Sequence, residues 1–147
     1  MSPDALRVAF VCVQNAGRSQ MATVFAEWER RERDLESEVE ILTGGTRPAD
    51  HVHDVVVEAM SDAGFDLTER TPRAISPEEL AETDVVVTMG CSAADVCPAT
   101  WSGENRDWDL ADPEGKPLEA VRAIRDEVRR RVRAFFDEIE QGVPRRV

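Results

Sequence analysis

Leu6 to Val11 is a nearly continuous apolar run, the pattern of a strand buried on both faces of a parallel sheet. From Ser19 to about Arg33 the apolar positions change period. Met21, Val24, Phe25 and Trp28 fall at spacings of three, four and seven, which predicts an amphipathic helix. Val39 to Thr43 predicts a short second strand closed by Gly44-Gly45, and His53 to Asp62 a helix ending at the C-cap Gly64. Ser76-Pro77-Glu78-Glu79 has the grammar of a helix start, with proline at the first helical position and acids in the first turn. Val85-Val86-Val87-Thr88-Met89 predicts a third buried strand, and Trp108 to Leu110 a shorter fourth. The last helix starts near Pro117. It carries Leu118, Val121, Ile124, Val128, Val132, Phe135 and Ile139 on one face and stops before Gly142 and Pro144. Strands alternating with helices imply an α/β fold with a mostly parallel sheet, in which ligands bind beyond the carboxyl ends of the strands.

The 147 residues suit one domain spanning 1–147, and 41% hydrophobic residues suffice for a core. A net charge of −12 argues against nucleic-acid and anionic-membrane partners, which both require positive charge. No apolar run approaches a membrane span and no basic-then-apolar leader follows Met1, so the expectation is a soluble cytoplasmic protein. Lys116 is the only lysine among 18 basic residues. An acidic, lysine-poor surface suits high salt, where screening relieves its self-repulsion, and this predicts a halophilic source. Three cysteines do not suggest a secreted disulfide scaffold, which leaves catalytic, metal-binding or redox roles.

The chain just past the first strand reads Val11-Cys12-Val13-Gln14-Asn15-Ala16-Gly17-Arg18-Ser19-Gln20-Met21-Ala22. A cysteine leaves the strand, five residues follow, and an arginine opens the helix. Backbone N–H groups from Val13 to Ser19 can turn inward as an anion nest, and the helix N-terminus adds its dipole. Both favour a thiolate on Cys12. Arg18 can grip two oxygens of a tetrahedral anion. Gly17 supplies backbone freedom, Asn15 tolerates left-handed geometry, and Ser19 can donate its hydroxyl to the sulfur. The bland reading is an inert cysteine in an ordinary strand-to-helix turn.

This string resembles the phosphate-binding loop of the low-molecular-weight protein tyrosine phosphatase superfamily. With Arg18-Ser19-Gln20-Met21-Ala22 intact, it is most similar to the thiol-dependent arsenate reductase branch. The resemblance covers essentially the whole chain and implies a four-stranded parallel sheet flanked by helices. It also implies roles for the other cysteines, in Thr88-Met89-Gly90-Cys91-Ser92-Ala93-Ala94-Asp95-Val96-Cys97. Cys12 would attack arsenate, Cys91 would attack Cys12 with release of arsenite, and Cys97 would then close a Cys91–Cys97 disulfide for an external reductant, thioredoxin or another small thiol. In a regular helix the two Cα atoms would lie roughly 9 Å apart, whereas a disulfide tolerates about 4.4 to 6.8 Å, so this segment must bend to close the bond. The chain departs from the best-known thioredoxin-coupled members in carrying Gly90 where their middle cysteine stands, and Gly17 where many have a second loop cysteine. Core packing for Cys91 and Cys97 is the plain alternative. A metal site with His51 and His53 is disfavoured because neither spacing matches a zinc signature.

In Asp107-Trp108-Asp109-Leu110-Ala111-Asp112-Pro113, the resemblance makes Asp112 the general acid, with Asp109 second; Trp101 and Trp108 flank this stretch as candidate pocket walls. The leading reading is an arsenate reductase without metal or organic cofactor. The second is a tyrosine phosphatase in which water resolves the Cys12 adduct; the absence of any tyrosine to line an aryl cleft weighs mildly against it. A third is a non-catalytic oxyanion- or redox-sensing protein.

Overall fold

The computed structural model describes residues 5–90 and 103–142. Four strands, β1 (Leu6–Cys12), β2 (Val39–Gly45), β3 (Val85–Met89) and β4 (Glu104–Asp107), form one sheet in the order β2-β1-β3-β4. Every pairing is parallel, with Cys12 opposite Gly45 on one side and Met89 on the other. The helices are α1 (Arg18–Glu32), α2 (Asp54–Asp62), α3 (Pro77–Ala81) and α4 (Leu118–Glu140).

Alternation along β1 divides its side chains between two cores. Leu6, Val8, Phe10 and Cys12 join Val85, Val87 and Met89 beneath α1, α2 and α4. Ala9 and Val11 point the other way and pack with Val86 and Leu80 of α3. Burial on both faces explains the unbroken apolar run. The chain leaves β1 toward β2 on one side, while β3 lies on the other. This makes the β1/β3 boundary the switch point of the sheet, where a crevice opens beyond the strand ends.

The elements follow the sequence pattern closely at α2, β3 and α4. Ser76 and Glu79 form a reciprocal capping box at the start of α3, with bonds of 3.1 and 3.0 Å. On α1 the buried face is rotated from the expected one. Ala22 and Ala26 join Met21 and Phe25 inside, while Val24 and Trp28 are half-buried, Trp28 meeting Phe65 edge-on at 5.8 Å. Small alanines are silent in a hydrophobicity pattern, yet they let a helix approach its neighbours closely.

The fourth strand is Glu104–Asp107 and not Trp108–Leu110. It is an edge strand with one neighbour, so its Glu-Asn-Arg-Asp sequence carries no apolar signature. Trp108 and Leu110 are apolar because the chain turns into the core as it leaves the sheet. Arg106 fastens the edge, donating to both carboxylate oxygens of Glu138 on α4 at 2.7 and 2.8 Å and lying 5.0 Å from the centre of the Phe135 ring.

The Arg106 hydrogen bonds hold the Glu138 carboxyl below its ordinary value of 4.5. A depressed acid contributes stability above its unfolded value and loses it as pH falls through the folded one. The unfolding midpoint is therefore expected to fall between about pH 6 and pH 3.5, and to fall less in Glu138→Gln. Equal falls in both proteins would contradict this.

Candidate functional site

Cys12 ends β1 as a buried free thiol, and the loop 13–17 curls back over its sulfur. The turn depends on Asn15, whose φ of +52° is left-handed. That conformation brings its N–H to the Cys12 Sγ at 3.2 Å. The fully buried Asn15 side chain then finds a partner for every polar group. Its Nδ2 donates to Ser19 Oγ at 2.7 Å and Thr43 Oγ1 at 2.9 Å. Its Oδ1 accepts from Gln20 Nε2 and the Arg73 N–H, both at 3.0 Å. Gln20 in turn accepts from Arg70 Nε at 2.8 Å.

Ser19 Oγ lies 2.8 Å from the sulfur. Because it already accepts from Asn15, its hydrogen is free to point at Cys12. The donors thus run in one direction, from Arg70 through Gln20, Asn15 and Ser19 to the sulfur. Aligned donors polarise one another and stabilise negative charge at the end of the chain.

The loop carbonyls are engaged elsewhere. Those of Cys12, Val13, Gln14 and Ala16 accept from the N–H groups of Thr46, Arg47, Ala49 and His53 at 3.3, 2.8, 2.9 and 3.0 Å. Gly45 permits this approach, since a Cβ there would lie 2.6 Å from the Val13 oxygen. No hydrogen bond ties the N–H groups of Val13, Gln14, Gly17 or Arg18 to another described residue. A loop with its carbonyls occupied and its amides open is suited to an oxyanion.

Beyond the sulfur lies a cavity of about 210 Å³ lined by Cys12, Val13, Gln14, Gly17, Arg18, His53, Gly90 and Asp112. Arg18, the first residue of α1, is only 12% exposed in its side chain. Its Nη1 donates to the Leu110 carbonyl at 3.0 Å, and its Nη2 lies 3.7 Å from Asp112 Oδ2. Gly90, with φ +83°, lies against the guanidinium; a Cβ there would come within 2.7 Å of Nη2. Asp112 Oδ1 accepts from the Glu114 N–H at 3.0 Å, which leaves Oδ2 toward Arg18.

Of the residues picked out from sequence, Cys12, Val13, Gln14, Gly17, Arg18 and Asp112 converge on this cavity, with Asn15, Ala16 and Ser19 buried behind its wall. Asp109 does not line the cavity. Trp108 is no pocket wall. It is buried in the core against Phe10 and Phe135, at 5.9 and 6.5 Å between ring centres, because leaving an edge strand turns its large apolar ring inward. Cys91, Cys97 and Trp101 lie outside the described residues. His53 lines the cavity, a place that its sequence context did not signal. Gly90 showed itself only as a departure from a family pattern, and its contact with Arg18 depends on the third dimension.

Asn15→Ala removes all the side-chain bonds and leaves alanine in a left-handed position. A loss of about 3 kcal/mol in folding stability is expected by chemical denaturation, and a loss below about 1 kcal/mol would show that the network is dispensable.

The profile of the family described as low molecular weight phosphotyrosine protein phosphatase matches residues 7–145. A Halobacterium salinarum protein provisionally named arsenate reductase is 58% identical over 139 residues, covering 94% of this chain and 96% of its own. The structure is similar to an arsenate reductase in its phosphate-binding state, at TM-score 0.75 and 30% identity over 91% of this chain and 98% of that one. It is similar also to a thioredoxin-dependent arsenate reductase of Corynebacterium glutamicum, at TM-score 0.75 and 30% identity over 97% of this chain, which spans 65% of that longer chain. A match from β1 to beyond α4, on the loop and fold just described, shows that this chain belongs to the low-molecular-weight phosphotyrosine protein phosphatase family.

Proposed function

We propose that this protein reduces arsenate to arsenite. The observation that carries the reading is the Cys12 thiol, held by Ser19 Oγ and the Asn15 N–H at the edge of a cavity walled by Arg18 and Asp112. The 58% identity to the Halobacterium salinarum protein supports arsenate as the substrate.

Cys12 attacks arsenic while the amides of Val13 to Ser19 and the Arg18 guanidinium hold the remaining oxygens and stabilise the charge that develops on them. Asp112 gives its proton to the leaving oxygen, which departs as water. The Cys91 thiolate then attacks the Cys12 sulfur. A Cys12–Cys91 disulfide forms, the sulfur–arsenic bond breaks, and its electron pair stays on arsenic, which leaves as arsenite. Cys97 attacks Cys91, frees the Cys12 thiolate and leaves a Cys91–Cys97 disulfide. A small dithiol protein such as thioredoxin returns the two electrons, as the description of the Corynebacterium glutamicum relative supports. Cys91 follows in sequence directly on the cavity residue Gly90, which suits attack on Cys12. No helix among the described residues is long and apolar enough to cross a membrane. We place the enzyme in the reducing cytoplasm, where its thiols are regenerated. Its acidic, lysine-poor surface suits a halophilic cell.

The family match favours one second reading, hydrolysis of aryl phosphates, in which water and not Cys91 releases Cys12. Cys91→Ala separates the two. It is expected to abolish multiple-turnover arsenate reduction with a thiol reductant while leaving any p-nitrophenyl phosphate hydrolysis intact. Arsenate turnover persisting in Cys91→Ala would overturn the relay.

A further inference from the structure

We propose that His53 is a positioning residue for the reaction: with Gly17 and Glu114 it latches the loop carrying Asp112 over the oxyanion cavity. This rests on the reading of Asp112 as the general acid.

An acid must sit within reach of the leaving oxygen, yet Asp112 stands on an exposed stretch. Its side chain is 58% exposed, and residues 111, 112 and 114–117 all face solvent. Pro113 alone of this stretch is buried. It sits over Gly17, where a Cβ would come within 2.7 Å of the proline Cγ. A side chain at position 17 would press against this proline ring. Before Asp112, the Leu110 carbonyl is held by Arg18 at 3.0 Å. After it, Glu114 Oε2 lies 3.6 Å from His53 Nε2. The loop is thus held on both sides of the acid and seated beneath it.

His53 is a firm anchor for its half of the latch. Its N–H donates to the Ala16 carbonyl of the oxyanion loop at 3.0 Å. Its own carbonyl accepts from Val56 and Val57 at 3.0 Å each, at the start of α2. The ring therefore moves with the Cys12 loop, and Glu114 carries that registration to Asp112. Glu114 also bonds Asp112 through its backbone, so the residue that meets His53 is the one that fixes the rotation of the acid. At 3.6 Å the His53–Glu114 contact is an ion-pair distance and not a hydrogen bond. Glutamine removes the imidazole at position 53 or the carboxylate at position 114.

The test uses the full chain, pre-reduced, with saturating arsenate. Arsenite release is followed through a single turnover, and phosphate affinity is read from protection of Cys12 against iodoacetamide. Asp112→Asn is expected to slow release by about a hundredfold or more. His53→Gln and Glu114→Gln should each slow it by about two- to fivefold, with no further loss in the double variant. Phosphate protection and the thermal midpoint should hold within about twofold and about 2 °C of wild type. In the Asp112→Asn background, His53→Gln should change nothing. An undiminished effect of His53→Gln in that background would overturn the latch. So would a tenfold loss of phosphate protection, which would make His53 a ligand of the anion. Wild-type release by Asp112→Asn would overturn the acid assignment and the latch with it. A wild type that protects Cys12 with phosphate but releases no arsenite would refute the reductase reading alone, and the same variants are then read on p-nitrophenyl phosphate.

Discussion

The left-handed turn at Asn15 is the constraint on which the site depends. It aims one backbone N–H at the Cys12 sulfur and drives a polar side chain into the interior, where unsatisfied groups are costly. The fold answers by bringing Thr43 from β2, Ser19 and Gln20 from α1 and the backbone of Arg73 to the same amide. Three segments far apart in sequence are thereby tied to one loop. A loop held by these bonds is set in place before an anion arrives, so in the proposed reaction its amides would need little reorganisation as charge develops.

Much of this was legible along the chain because β1, β3 and α4 bury apolar residues at regular periods. The loop was legible because cysteine, asparagine, glycine and arginine fall between a buried strand and a helix start. What stayed hidden depends on tertiary neighbours. β4 is polar because it lies at an edge and its outward residues meet water and α4. Trp108 looked like a cleft aromatic from its place beside an Asp-Pro pair, yet its ring completes a cluster with Phe10 and Phe135. Gly90 and His53 lack any periodic signal; each matters through a partner 72 or 61 residues distant, Arg18 for the first and Glu114 for the second.

In a chain of net charge −12, the proposed oxyanion site depends on local arrangement. Many arginines are spent on surface pairs, as in Arg7–Glu40, Arg33–Asp137 and Arg122–Asp62, where their charge is neutralised. Arg18 is different. It is nearly buried, its one carboxylate contact among the described residues is a long 3.7 Å to Asp112, and it faces the same cavity as the open loop amides. Salt at high concentration screens the remaining acidic surface.

The central claim is that the electrons delivered to arsenate come from the chain itself. Pre-reduced protein mixed with excess arsenate and no external reductant measures this directly, by counting arsenite per chain and mapping disulfides by mass spectrometry. The account predicts about one arsenite per chain, with a Cys91–Cys97 bond and Cys12 again a free thiol. No arsenite and three free thiols would contradict it.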